Sequence, residues 1–212
     1  MDKTRTQITV AIVAAVLFVL ALAAGKTDYH TPLRLYSIAV PLVTFAFIGY
    51  DRFVWRFKVV RKFTKKPLLA GSWRGMLISD YKKPDGSSIP SIPTSLYVTQ
   101  TNSNLTVTLF TGESTSVSEQ AQLSHETDGR WRLHWLYENK PKATVRHRSD
   151  RHEGVAELYM VFPGGEELVG EYFTDRNTKG TFTFTEWSKR PYGSAEAAHK
   201  GDDFERPHPF VV

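Results

Sequence analysis

The chain has 212 residues, with 27 Lys and Arg against 22 Asp and Glu for a formal net charge of +5, and it contains no cysteine. The missing cysteines exclude disulfide staples, thiolate metal sites and cysteine nucleophiles, and agree with a reducing compartment. Once two N-terminal apolar runs and a loose tail are set aside, about 120 residues remain, enough for one cored domain.

The first apolar run, Ile8 to Ala24, has Thr9 as its one polar residue, and at about 1.5 Å per residue a helix of this length nearly crosses a hydrocarbon core. The second, Leu35 to Tyr50, lies between Arg34 and Arg52, whose stems snorkel, and is flanked by Tyr36, Tyr50 and Trp55, which suit an interface. Pro41 is a kink that a membrane helix tolerates. The linking GKTDYHTP is too short for a domain, so residues 1–54 are expected to form a hairpin of two transmembrane helices. Lys3 and Arg5 precede it and seven basic residues follow between Arg52 and Lys66, against Lys26 and Arg34 near the gap. That asymmetry predicts both termini in the cytoplasm. The basic linker 55–67 reads either as a contact for anionic lipid or as the topology signal alone. A cleaved signal peptide fits poorly, because no clear small-residue cleavage site is present and an equal apolar run follows.

From Gly71 to Lys189 the period changes to two, and β-branched and aromatic residues dominate. Eight strands are predicted, at 72–82, 95–101, 104–111, 118–126, 130–138, 153–162, 167–174 and 179–188. Turn-forming stretches such as PDGSSIPSIP, TNSN, TDGR, PGGE and DRNTK separate them. No helical segment is available for a parallel crossover, so residues 68–190 are expected to form an all-β, eight-stranded antiparallel up-and-down barrel. The tail 191–212 mixes Pro, Gly, Ser and charge without a period and is expected to be flexible.

Gly71-Ser72-Trp73 at the start of the first strand resembles the Gly-x-Trp opening of lipocalin- and streptavidin-like barrels. That resemblance implies a tryptophan plugging the closed end and an inward-facing Trp73 and Leu77. Alternation then turns inward Leu96 and Val98; Leu105, Val107 and Leu109; Trp131, Leu133, Trp135 and Tyr137; Tyr159 and Val161; Leu168, Gly170 and Tyr172; Phe182 and Phe184. Strand parity gathers the loops after strands one, three, five and seven at the open end. They bring Lys82, Lys83, Lys140, Lys142, Arg146, Arg148 and Arg151 to one rim, while Asp128, Glu166 and Glu167 lie at the other end.

A basic rim above an aromatic interior suits a ligand with stackable bases and phosphates. The candidate ligand-binding residues are Tyr81, Tyr137, Tyr172, Thr174, Arg176, Asn177 and Lys179. Gly164-Gly165-Glu166-Glu167-Leu168 looks like the signature loop of diguanylate cyclases, but it sits between two predicted strands and reads as a hairpin turn. His125, His134, His147 and His152 lack zinc-site spacing and read as surface or rim residues. No nucleophile elbow is present. The chain therefore reads as a binding protein and not an enzyme, with no catalytic residue, metal or cofactor.

A two-helix hairpin, a basic linker and an eight-stranded domain opened by LLAGSWRG and closed by GEYFTDRNTKGTFTF resemble the two-transmembrane, β-barrel effectors of bacterial CBASS anti-phage systems. The resemblance spans residues 8 to 188. It implies that a cyclic di- or oligonucleotide, made by a partner CD-NTase nucleotide cyclase, binds the barrel, with no DNA or RNA polymer involved. It further implies that the protein oligomerises in the bacterial inner membrane, breaches the lipid and brings about abortive infection. The alternative reading is a membrane-tethered, lipocalin-like carrier of a small apolar ligand.

Overall fold

The computed structural model describes residues 13–15, 18–19, 30–160 and 167–205. The chain divides into two compact units at Lys66/Pro67, with Thr101–Ser103 joining the first.

In the first unit, helix α1 (His30–Arg52) contains Pro41 and exposes Leu42, Phe45 and Ile48. A single 3-10 turn (Val54–Arg56) and helix α2 (Lys58–Thr64) follow, and Lys65 ends α2 in the left-handed conformation. Asp51 ties the Thr101–Ser103 turn to the end of α1. Its carbonyl accepts the Asn102 N–H at 2.9 Å and its carboxylate accepts the Ser103 N–H at 2.7 Å. Lys66 bonds the Asn102 carbonyl, lies over the Trp55 ring at 5.7 Å, and has its pKa lowered by burial.

Among the described residues no helix is long and apolar enough to cross a membrane. Charged residues at Arg34, Asp51 and Arg52 interrupt both ends of α1. The described helices thus do not support the transmembrane hairpin expected over 1–54, and most of its first run lies outside the described residues.

The second unit is a closed antiparallel barrel in which each strand pairs with its sequence neighbours and β1 closes on β8. The strands are β1 Gly71–Ser79, β2 Ile92–Gln100, β3 Leu105–Phe110, β4 Ser114–His125, β5 Trp131–Pro141, β6 His152–Met160, β7 Leu168–Thr174 and β8 Lys179–Ser188. All eight expected strands are present. Register shifts at Arg74/Gly75 and Ser118/Gln120 are bulges, which bend strands where a small barrel must close.

Inward sets were expected on seven strands, with none for β4; they hold on six and fail on β6. There Ala156, Leu158 and Met160 are buried, whereas Tyr159 packs under the Arg130 guanidinium at 4.7 Å. The outward face carries Val155 and Tyr159 beside Glu153 and Glu157, while the inward face opens on the small Gly154 and Ala156, so neither face stands out as the apolar one from residue type alone. Val161 lies outside the described residues, as do Gly164, Gly165 and Glu166 of the expected hairpin turn.

The closed end is built from apolar packing and matched backbone groups. Trp73 is fully buried and its indole N–H donates to the Leu69 carbonyl at 3.0 Å. The Gln100 amide accepts from Leu69 N at 2.7 Å and donates to the Pro67 carbonyl at 3.0 Å.

Residues 191–205 of the tail expected to be flexible are packed onto the barrel. Helix α3 (Ala195–Lys200), capped by Ser194, buries Ala195 and Ala198. Arg74 holds this segment by pairing with Glu186, donating to the Gly201 carbonyl at 2.9 Å and stacking on Phe204 at 4.5 Å. Trp187 and Glu205 add a two-bond bridge. A six-residue helix is too short to leave a readable period, and its order comes from these contacts rather than from propensity.

Candidate functional site

Along each strand the inward column grades from apolar at the closed end to polar at the mouth. On β5 it runs Leu133, Trp135, Tyr137, Asn139, and on β7 Leu168, Gly170, Tyr172, Thr174. Large side chains fill the lower barrel, and shorter polar ones leave a cavity of about 450 Å³ at the mouth.

Its floor is aromatic. Tyr172 and Phe182 lie 5.1 Å apart between ring centroids, and Trp135 and Phe184 stack against Phe182 from below. Two glycines position the tyrosines. Gly154 faces Tyr137 and Gly180 faces Tyr172 across paired strands. A Cβ at Gly154 would lie 2.4 Å from the Tyr137 oxygen, and one at Gly180 would lie 2.6 Å from the Tyr172 ring, so each ring rests on bare backbone. Burial raises the pKa of both phenols. They therefore remain protonated donors at neutral pH.

The walls are polar toward the rim. Asn139 donates to Ser114 Oγ at 3.1 Å and Ser116 Oγ at 3.0 Å. Arg176 donates to Ser149 Oγ at 3.3 Å and to the Asp150 carbonyl at 3.4 Å, and His152 Nδ1 meets the same carbonyl at 3.1 Å. Burial first, and then the Arg176 charge, lower the His152 pKa. Arg148 pairs with Glu113 at 2.5 Å.

Of the residues expected at the site, Tyr81, Tyr137, Tyr172, Thr174 and Arg176 line this one cavity, while Asn177 and Lys179 do not. Asn177 is a turn residue with φ 59°. Lys179 sits one position from the inward Gly180 and Thr178, and its backbone is occupied by Asp80, at 2.9 Å both ways. The strongly basic rim is also partly neutralised. Glu113 holds Arg148, and Glu138 holds Lys140 at 2.8 Å and Arg151 at 3.6 Å. From sequence, Arg148 falls at this rim without being chosen as a ligand-binding residue. His152, read as a surface or rim residue, lines the rim, whereas Ile89 and Ile92 were missed because PDGSSIPSIP reads only as turn chemistry.

Two comparisons bear on this barrel. The family model described as Cap15, cyclic dinucleotide receptor domain, matches residues 64–186. CD-NTase-associated protein 15 of Staphylococcus schleiferi is 31% identical over 144 residues, which cover 68% of this chain and 74% of the relative. The matched span takes in every strand that builds the cavity, and on this evidence of sequence the chain belongs to the Cap15 cyclic dinucleotide receptor domain family.

Proposed function

We propose that the chain is a cyclic-dinucleotide sensor of a CBASS antiviral system, with the ligand seated in the mouth cavity. The observation that carries this reading is the cavity itself. About 450 Å³ falls within the range of roughly 300–1,000 Å³ usual for small-molecule sites. The tyrosine and phenylalanine rings offer faces to bases, and Arg148 and Arg176 offer forked donors to phosphate. A carrier of an apolar ligand would have no use for those guanidiniums or for the hydroxyls and amide of the upper wall.

The proposed output is at the bacterial inner membrane, with both termini cytoplasmic. The Ile8–Ala24 run, the basic residues after Arg52 and the apolar side chains exposed on α1 support membrane attachment. On this reading ligand binding drives assembly of copies of the chain, their membrane segments breach the lipid, and a CD-NTase cyclase supplies the signal. The chain acts by binding, without catalysis.

Calorimetric titration of the full-length protein in lipid nanodiscs against cyclic dinucleotides and a fatty acid tests the sensing half. Saturable binding of a cyclic dinucleotide, weakened by salt, is expected, and selective uptake of the fatty acid would overturn it. Dye release from vesicles carrying the protein tests the output. Release is expected only with ligand, and with a steep dependence on protein density.

A further inference from the structure

The cavity is lopsided, and strand order shows how. Its lining basic residues come from one side, with the Arg148 guanidinium in the β5–β6 loop, the His152 imidazole at the start of β6 and the Arg176 guanidinium in the β7–β8 turn. The β5–β6 loop groups them: the Asp150 carbonyl meets both His152 and Arg176, and Ser149 meets Arg176. The β1–β2 loop is diametrically opposite the β5–β6 loop in an eight-stranded ring, and it contributes Tyr81 and Ile89, while Leu77 and Ile92 line the cavity from the ends of the strands it joins.

That apolar wall is fixed by local chemistry. Lys82 and Ser88 form a β-bridge, Lys83 N donates to the Ser87 carbonyl at 2.9 Å, and Asp85 accepts both the N–H and hydroxyl of Ser87 at 2.9 and 2.6 Å. Ile89 precedes Pro90 and Ile92 precedes Pro93, and a following proline holds a residue in the extended region. Both isoleucines are half-buried, Ile89 within the loop and Ile92 as the first residue of β2.

We infer that the site takes its ligand in one orientation, with phosphate against Arg148 and Arg176 and a base against Ile89 and Ile92, so that the two isoleucines set base preference. This rests on the proposed function and adds a division of labour to it. Phosphate is common to every cyclic dinucleotide, so cations that meet it hold all of them alike, whereas a wall that meets a base edge discriminates among them.

The test measures affinities of the full-length protein in nanodiscs for two probes, cyclic di-AMP and cyclic di-UMP. Arg176→Ala and Arg148→Ala should weaken both probes by a similar factor, about tenfold, and reduce the dependence of log affinity on log salt by about 1. Ile92→Ala and Ile89→Ala should change the ratio of the two affinities by about threefold or more and leave the salt dependence as it was. Ile92→Val retains the branched side chain beside Pro93 and should restore the wild-type ratio, which separates base contact from damage to the loop. The inference is overturned if the arginine variants shift the ratio or the isoleucine variants lower both affinities equally. Wild-type protein that binds neither probe contradicts the proposed function itself, a different failure from a crossed pattern among variants that bind.

Discussion

The two ends of the barrel obey the same alternation and come out differently. At the closed end the inward positions hold Trp73, Leu96, Val98, Val107, Leu133, Leu158 and Phe184, all with at most 1% exposure, and the polar groups there meet backbone partners. At the mouth the inward positions hold Ser79, Thr111, Ser116, Asn139, Thr174 and Thr178 around open volume. One end carries stability and the other carries recognition. Substitutions should therefore separate the two properties according to height in the barrel, and that separation is what the following variants break or sharpen.

The largest effect is expected at the closed end. Trp73→Ala removes a fully buried indole and should cost about 3–5 kcal/mol of folding stability, seen as a large drop in the thermal midpoint followed by tryptophan fluorescence. Next, Gln100→Leu leaves Leu69 N and the Pro67 carbonyl without their buried partner and should cost about 2 kcal/mol. At the mouth the pattern should invert. Arg176→Ala should weaken cyclic-dinucleotide binding about tenfold, or about 1.4 kcal/mol, while changing stability by no more than about 0.5 kcal/mol. An equal loss of stability in this variant would erase the distinction between the two ends.

The smallest effect concerns pH. The folded state lowers the His152 pKa from its ordinary 6.5, so folding disfavours its protonation, and the stability it contributes is present above about pH 6.5 and lost as pH falls below it. A bound phosphate acts in the opposite sense, because it favours the imidazolium. Binding should therefore strengthen as pH falls from 7.5 through 6, with proton uptake measurable by calorimetry in buffers of different ionisation enthalpy. His152→Gln should flatten both trends.

Most of the barrel was legible because a half-buried strand leaves a strict period of two and its turns carry Gly, Pro, Asn and Asp. Strand parity then sufficed to put Tyr81, Tyr137, Tyr172, Thr174 and Arg176 at one end. Parity failed in β6, where Val155 and Tyr159 stand on the outward face beside Glu153 and Glu157 and the inward face includes the small Gly154 and Ala156. Gly154 held the missing information, since it sits opposite Tyr137 and faces inward with it. Lys179 was misplaced for a simpler reason, because a charge near the mouth need not point into it. The ordered tail was not legible, since Arg74, Ser72 and Thr94 hold it from more than a hundred residues away in sequence. Ion pairing was equally hidden, because counting rim cations did not reveal that Glu113 and Glu138 hold three of them.

The most direct test of recognition at the mouth is to fill it. Ser79 lines the cavity at the end of β1 and is half exposed, so Ser79→Trp puts an indole where the ligand is proposed to sit without touching the closed end. Titration of full-length wild-type and Ser79→Trp proteins with the best-binding cyclic dinucleotide, alongside their thermal midpoints, measures site and fold together. A ligand in the mouth predicts that the variant keeps a wild-type midpoint and loses binding by about a hundredfold or more, equivalent to about 2.7 kcal/mol. Undiminished affinity in a folded Ser79→Trp protein would contradict it and move the site out of the barrel.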